Sequence, residues 1–208
     1  MNKHLFVSPH PDDVELGCGA LIAKLVAQGE QVYIVVVTGG GTLNMVHSGE
    51  AVDYHTRLSE QYRSLEVLGV PVDNMVVCQG YQASKFDEES MSGLVSQLDT
   101  HIRDLKPTHL YVPLPSYNQD HKYTFEACMA ATRPTKADKV SIYAYEQPIQ
   151  HHDALTLSHI GGKLYIEVTE AQVLIGIRAL NCHQSQMAGR EHTLTGGKGV
   201  RLLGHLRG

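Results

Sequence analysis

Residues 5–15 read LFVSPHPDDVE and decide the fold. The first four residues form a short apolar run that is typical of a buried strand. Two prolines then stiffen a polar turn, and a helical pattern begins near Val14. A strand followed at once by a turn and a helix indicates the first unit of an α/β fold.

The same alternation continues along the chain. Short apolar runs rich in Val, Ile and Tyr predict further strands at residues 32–37, 75–78, 109–112 and 140–145. Between and after them, apolar residues at helical spacing predict helices around residues 21–26, 58–65, 91–105, 125–132 and 173–180. Thr169 and Gln172 have the spacing of a capping box, which predicts where the last of these helices begins.

Strands that alternate with helices predict a Rossmann-like three-layer sandwich, with helices on both faces of a mostly parallel central sheet. The length of 208 residues suits a single domain over residues 1–208. In open α/β sheets the active site lies outside the carboxyl ends of the strands. We therefore expect residues 9–15, 39–44 and 113–121, which directly follow strands, to carry the chemistry.

The composition excludes several classes of protein. There are 17 Lys and Arg residues against 22 Asp and Glu residues, a net charge of −5, with no basic run to bind a nucleic-acid backbone. No apolar stretch reaches the roughly 18 residues that span a membrane. The four cysteines lie far apart and form no CxxC pair, which indicates reduced thiols and a cytoplasmic protein.

Two of the polar loops carry residues that could bind a metal. His10 and Asp13 follow the first strand, and His121 follows the fourth. Both loops should open on the same edge of the sheet, and two imidazoles with one carboxylate are a common ligand set for catalytic zinc. Asp12 would then be available as the general base for a water molecule. The alternative is that an aspartate only caps the helix and that His10 is incidental.

A series of short motifs occurs in order along the chain. They are HPDD at residues 10–13, TGG at 38–40, R-x-x-E at 57–60, LGV at 68–70, DH at 120–121, YE at 145–146 and SQ at 185–186. Each motif alone has little specificity. The ordered set, with matching positions after strands, resembles the PIG-L/LmbE-like zinc-dependent N-deacetylases over most of the chain.

The resemblance implies a role for each matching residue. His10, Asp13 and His121 would bind one Zn²⁺ ion per chain. Asp12 would be the base that activates the zinc-bound water, and Arg57 would hold a polar group of the substrate.

Two more residues enter the candidate site through the resemblance. Asp120 would orient or tune a neighbouring catalytic group. Asn118 stands where many members have a His that helps to stabilise the oxyanion or to protonate the leaving amine. Asn118 can donate a hydrogen bond but cannot transfer a proton at neutral pH. Either Asp12 is then both base and acid, or another group transfers the proton.

Simpler explanations exist for several other polar and aromatic residues. Arg57 and Glu60 could form a surface ion pair one helical turn apart. His183 could lie at a helix end or line the pocket. Tyr54 and Tyr62 share an apolar helical stripe, so we expect them to pack in the core.

The leading hypothesis is a zinc-dependent N-deacetylase, a hydrolase that acts on a linear amide C–N bond. The resemblance implies that its partner is a small N-acetylated molecule, an N-acetylglucosamine-like sugar or a related amide, which loses acetate to leave a free amine. We expect no nucleic-acid partner and no membrane span, and a homo-oligomer is possible.

Two alternatives belong to other classes. A catalytically retired relative could bind a metal or a sugar. Asn118 allows this reading, but the retained Asp12 argues against it. A non-haem Fe(II) oxygenase would use His10, Asp12 and a distant His as its facial triad. Such sites usually lie in all-β double-sheet barrels, which the helical stripes argue against.

Overall fold

The computed structural model describes residues 1–39, 52–133, 140–148, 162–188 and 196–207, so residues 40–44 of one polar loop lie outside the described part. The strands are β1 (Lys3–Ser8), β2 (Gln31–Val36), β3 (Met75–Val77), β4 (His109–Pro113) and β5 (Ser141–Tyr145). The helices are α1 (Asp13–Ala27), α2 (Tyr54–Leu68), α3 (Met91–Leu105), α4 (Gln119–Ala131), α5 (Glu170–Leu180), α6 (Gln184–Met187) and α7 (Gly197–Arg207). Short 3₁₀ turns occupy Val72–Asn74 and Phe86–Glu88.

The five strands form one sheet in the order β3-β2-β1-β4-β5, and every pair is parallel. The predicted α/β fold with a parallel sheet is confirmed. From β1 the chain builds outward through β2 to β3, and then returns to place β4 on the other side of β1. The direction of winding therefore reverses between β1 and β4, which is where open α/β sheets form their binding crevice.

Helices cover both faces of the sheet, as the alternation of side chains along β1 shows. Phe6 packs on the face covered by α1, α2 and α5, in one core cluster with Ile22 and Leu65. Leu5 and Val7 point to the opposite face, where α3 and α4 lie. The predicted three-layer arrangement follows from this alternation.

Helices α1 and α5 approach each other at two glycines. A Cβ atom on Gly176 would lie 2.7 Å from the backbone nitrogen of Ala20, and one on Gly19 would lie 2.9 Å from Cα of Gly176. Only glycine therefore permits this backbone contact.

The predicted capping box at the start of α5 is present: Thr169 Oγ1 accepts from the Gln172 backbone, and the Gln172 side chain accepts from the Thr169 backbone.

The buried face of α2 differs from the expected one. Tyr54 and Tyr62 are 40% and 42% exposed, so the prediction that they pack in the core is wrong. Leu65 of the predicted stripe is buried together with Leu68, and the helix also buries polar residues, namely Arg57, Glu60, Gln61 and Ser64. These side chains find hydrogen-bond and charge partners inside the protein, which an apolar stripe in the sequence cannot reveal.

Among the described residues no helix has the length and apolar character needed to cross a membrane.

Candidate active site

The turn between β1 and α1 presents Asp12 in an unusual backbone conformation. Asp12 has φ 105° and ψ −24°, and its side chain makes no capping hydrogen bond to α1. Ser8 Oγ donates to the carbonyl oxygen of His10 at 2.6 Å and braces the turn. The Asp12 side chain remains 15% exposed. The structure therefore does not support the alternative in which Asp12 serves only as a helix cap.

His10, Asp13 and His121 lie together at the crevice between β1 and β4. His10 Nδ1 lies 3.0 Å from Asp13 Oδ2, and His121 Nε2 lies 3.4 Å from Asp13 Oδ1. All three residues are buried, and one donor atom from each lies within 4.8 Å of the others. Tetrahedral zinc with ligands at about 2.0–2.2 Å places neighbouring donor atoms roughly 3.3–3.6 Å apart. The donor set fits such an ion, and the two separations from Asp13, 3.0 and 3.4 Å, lie close to this spacing.

A further layer of hydrogen bonds orients this cluster. His10 Nε2 lies 2.8 Å from Asp120 Oδ2, so its two ring nitrogens face different carboxylates. Asp120 Oδ2 also accepts from the Ser84 backbone at 2.6 Å, and Gln147 Nε2 donates to Asp13 Oδ1 at 2.7 Å. A carboxylate on the outer nitrogen of a metal-binding His fixes the ring and raises its basicity.

Neighbouring groups favour the charged forms of His10 and Asp13. Burial alone would lower the pKa of His10, but the hydrogen bonds to Asp120 and Asp13 outweigh it and raise the pKa to about 10. Burial would raise the pKa of Asp13, whereas His121 and His10 hold it well below its usual range. Without an ion, a proton on His10 therefore supplies positive charge between the carboxylates.

Asp12 lies beside Arg57. Arg57 Nη2 lies 3.4 Å from Asp12 Oδ2 and also donates to the carbonyl oxygen of Pro11. Burial raises the pKa of Asp12, Arg57 opposes this shift, and the neighbouring Asp13 adds to it, so that the net shift is upward. A carboxylate with a raised pKa accepts a proton more readily, as general bases in active sites do.

The side chain of Arg57 is fully buried. It has a second charge partner besides Asp12. Arg57 Nη1 lies 3.6 Å from Glu60 Oε2. Both carboxylate oxygens of Glu60 accept from Ser185, from its backbone nitrogen and its hydroxyl, each at 2.6 Å. The interpretation of Arg57 and Glu60 as a surface pair is therefore wrong. That Arg57 holds a substrate group stays a prediction; its contacts here are with the loop that carries Asp12.

His183 belongs to a second buried polar group beneath α1. Its side chain is fully buried, and Nε2 lies 3.7 Å from Glu15 Oε1. The same oxygen accepts from Gln61 Nε2 and Ser64 Oγ, each at 2.7 Å. His183 lies between the end of α5 and the start of α6, and its Nε2 lies beside Glu15 of α1.

Asn118 is the residue before α4. Its Oδ1 accepts from the backbone nitrogen of Asp120 at 2.9 Å and thereby caps the helix that carries Asp120 and His121. The side-chain oxygen is thus used in the fold, and the amide nitrogen is the group that could donate to a substrate.

The sequence interpretation missed three contributors to this site: Ser84, Glu15 and Gln147. Gln147 carried a signal, because it is a polar residue just after β5, at the same sheet edge as the other candidates. Ser84 acts through its backbone, which no residue type reveals. Glu15 carried no signal in the sequence that sets it apart from other acidic residues in the first turn of a helix.

The chain is similar in sequence to proteins described as deacetylases. It is 25% identical to the uncharacterized deacetylase YaiS of Escherichia coli (strain K12), over 87% of this chain and 90% of that protein. It is 40% identical over 72 residues to a diacetylchitobiose deacetylase of Thermococcus kodakarensis, which is 34% of this chain and 27% of that protein.

Solved structures share the fold at low sequence identity. The N,N'-diacetylchitobiose deacetylase of Pyrococcus horikoshii has a TM-score of 0.77 and 21% identity, over 100% of this chain and 78% of that one. GalB, the 4-carboxy-2-hydroxymuconate hydratase of Pseudomonas putida, has a TM-score of 0.73 and 19% identity, over 100% and 86%. Since a hydratase shares the architecture, the fold alone does not decide the reaction. The family model described as GlcNAc-PI de-N-acetylase matches residues 5–132, which include the β1 turn, α2 and the β4 loop. The chain is therefore a member of the PIG-L family.

Proposed function

We propose that this protein is a zinc-dependent N-deacetylase that removes the acetyl group from an N-acetylglucosamine-like sugar. One observation carries the proposal. A buried cluster with the donor set and spacing of a zinc site lies next to Asp12, a partly exposed carboxylate that is not part of the cluster. A site that only bound a metal would have no use for this additional base.

His10, Asp13 and His121 would hold the ion. When bound, the ion supplies Lewis acidity: it polarises the amide carbonyl and lowers the pKa of a water molecule. Asp120 would keep the His10 ring in place through its contact with Nε2.

Asp12 would take the proton from the attacking water and pass it to the nitrogen of the departing amine. Its raised pKa suits both steps, because the same carboxyl must accept a proton and later release it. Arg57 and Glu60 would hold the Asp12 turn in place during this exchange. The amide nitrogen of Asn118 would donate to the oxyanion of the tetrahedral intermediate. Its collapse gives acetate and a free amine.

The sugar substrate is proposed from the relatives. Two of them bear the name diacetylchitobiose deacetylase, and the family description names an N-acetylglucosamine-linked substrate. Those names describe the relatives, and the reaction must be tested for this chain.

A retired, purely binding relative is less well supported. Asp12 holds a positive φ that an L-residue adopts at a cost of about 1–3 kcal/mol. Glycine would remove that cost, so retention of an aspartate is easier to explain if its carboxylate acts on a substrate.

The test is acetate release from N-acetylglucosamine and from N,N'-diacetylchitobiose by zinc-loaded and metal-free protein. We expect release only with the metal. Asp12→Asn should retain zinc and lose about 10²–10⁴-fold in kcat, because the amide cannot accept the proton. Asp104→Asn is the matched control, since that side chain is 69% exposed and outside the site. Loss of zinc in step with activity would make Asp12 a ligand. Absence of acetate from every N-acetylated sugar tried would overturn the function.

A further inference from the structure

The end of β5 lies directly on the first turns of α1. A Cβ atom on Gly17 would lie 2.6 Å from Cδ2 of Tyr145 and 2.8 Å from the carbonyl oxygen of Glu146. Only glycine therefore lets β5 come this close to the helix. Gly17 follows the proposed zinc ligand Asp13 by one helical turn. The residue after Glu146 is thus brought alongside Asp13.

Hydrogen bonds from two other parts of the sheet fix this end of β5. The hydroxyl of Tyr145, whose side chain is buried, donates to the carbonyl oxygen of Val7 in β1 at 2.9 Å. The carbonyl oxygen of Tyr145 accepts from the backbone nitrogen of Leu114, which follows β4, also at 2.9 Å. Gln147, two residues further on, therefore reaches the site from a backbone that β1 and the end of β4 hold in place.

Gln147 contacts Asp13 through two hydrogen bonds. Its Nε2 donates to Oδ1 of Asp13 at 2.7 Å and to the backbone carbonyl oxygen of Asp13 at 3.1 Å. A carbonyl and an ionised carboxylate can only accept, so the nitrogen of the amide must be the atom that faces them. Gln147 is 2% exposed, so bulk water does not compete for these bonds.

The carboxylate of Asp13 is thereby held at both of its oxygens. Oδ1 accepts from Gln147, and Oδ2 accepts from the backbone nitrogen of His10 at 2.9 Å. An ionised carboxylate oxygen has about two lone pairs, so one such bond to each oxygen leaves a lone pair for a metal ion. Loss of the bonds from Gln147 would let the carboxylate turn about its Cβ–Cγ bond, away from the orientation that faces the two imidazoles.

We propose that Gln147 is a positioning residue of the metal centre, which holds the carboxylate of Asp13 in the orientation that binds the ion. The inference rests on the zinc site of the proposed function. It adds a residue outside residues 5–132, the part of the chain that the family model matches. Gln147 would act through Asp13, so the effect of its loss should appear in metal binding itself.

Chelator competition tests this role by measuring the affinity for zinc. Gln147→Met keeps an unbranched side chain of similar length and removes both hydrogen bonds. The dissociation constant for zinc should rise about 10–100-fold, the usual effect of removing a group that orients a metal ligand. Gln28→Met is the matched control, because Gln28 is exposed and lies at the other end of α1. A change of about twofold or less in Gln147→Met would overturn the proposal.

A second variant disturbs the same contact from outside the site. Gly17→Ala leaves every polar group of the site in place, but its Cβ atom must push the end of β5 away from α1. It should therefore weaken zinc binding as well. If Gln147→Met does not fold, Gly17→Ala and Gln147→Asn, whose amide is one methylene shorter, replace it in the same assay. An unchanged affinity for zinc in both would overturn the proposal.

Unfolding in urea with and without zinc separates positioning from a purely structural role. A structural residue would change the free energy of unfolding equally in the two conditions. A positioning residue changes the stabilisation that saturating zinc provides, by about 1.4 kcal/mol for each tenfold loss of affinity. Equal stabilisation of the wild type and of Gln147→Met by zinc would overturn the proposal.

No substrate enters these measurements, so their result does not depend on the reaction. If Gln147→Met weakens zinc binding but no N-acetylated sugar releases acetate, the deacetylase function fails and the positioning role stands. If acetate is released and Gln147→Met binds zinc as the wild type does, the function stands and the positioning role is overturned.

Discussion

Glu60→Gln should lower the free energy of unfolding by about 3 kcal/mol, the lower end of the range for breaking a buried ion pair. The substitution keeps the shape of the side chain and removes its charge. Within the described part of the chain, the fully buried Arg57 then retains Asp12, at 3.4 Å, and the Pro11 carbonyl as partners. We choose the lower end because these two partners still compensate part of the guanidinium charge.

Ser185→Ala should cost less, about 1.5–3 kcal/mol, because it deletes one hydrogen bond to a charged group and leaves the backbone donor of Ser185 in place. Glu66→Gln is the matched control: Glu66 lies on the same helix but is exposed. An exposed substitution of this kind should stay within about 0.5 kcal/mol.

Urea unfolding followed by circular dichroism measures the free energy of unfolding of all three variants. The comparison requires that the slope of this free energy against urea concentration is unchanged. If Glu60→Gln costs no more than Glu66→Gln, Arg57 and Glu60 behave as a surface pair. The reasoning that Glu60 and Ser185 hold Arg57 against the Asp12 turn would then be refuted.

Four further results are expected. Asp120→Asn should weaken zinc binding about 10–100-fold in a chelator competition, since it removes the carboxylate on His10 Nε2; an unchanged affinity would contradict that role. Asn118→Ala should lose the helix cap and lower the free energy of unfolding by about 1 kcal/mol, whereas Asn118→Asp should keep the cap. Both variants should lose about 10–100-fold in kcat if the amide nitrogen contacts the oxyanion. Zinc binding to metal-free protein should release about one proton, because the ion displaces the proton that the raised pKa holds on His10. The affinity for zinc should therefore increase as pH rises towards 10. Calorimetry in buffers of different ionisation enthalpy counts the released protons, and a count of zero would contradict this prediction. Gly176→Ala should separate α1 from α5 and lower the free energy of unfolding by about 1–3 kcal/mol, measured by thermal unfolding. An unchanged stability would show that the two helices can move apart without cost.

The sheet was predictable because its strands are buried on both faces. Each strand is therefore a short, nearly continuous apolar run, and the helices between them carry apolar stripes. The strand boundaries agree within one or two residues, as for the run at 32–37 against the observed Gln31–Val36, whereas the predicted apolar stripes cover only part of most helices. The order of the strands was not predicted, since it depends on contacts between distant parts of the chain.

The site was predictable only where a residue type itself reveals the chemistry. His10, Asp13 and His121 follow strands that meet at one edge, so their proximity could be inferred from sequence. The buried polar face of α2 could not, because Glu60 looks like any exposed acidic residue until Ser185 is brought against it. The same holds for Ser84, whose backbone nitrogen does the binding.

The left-handed backbone at Asp12 sets stability against activity at a single position. Because φ of 105° disfavours any side chain, Asp12→Gly should relieve about 1–3 kcal/mol of local strain, and this gain is set against the loss of one charge partner of the buried Arg57. The same change removes the proposed base. If the strain outweighs the contact with Arg57, a screen for thermostable variants without an activity assay would select glycine here and enrich inactive protein.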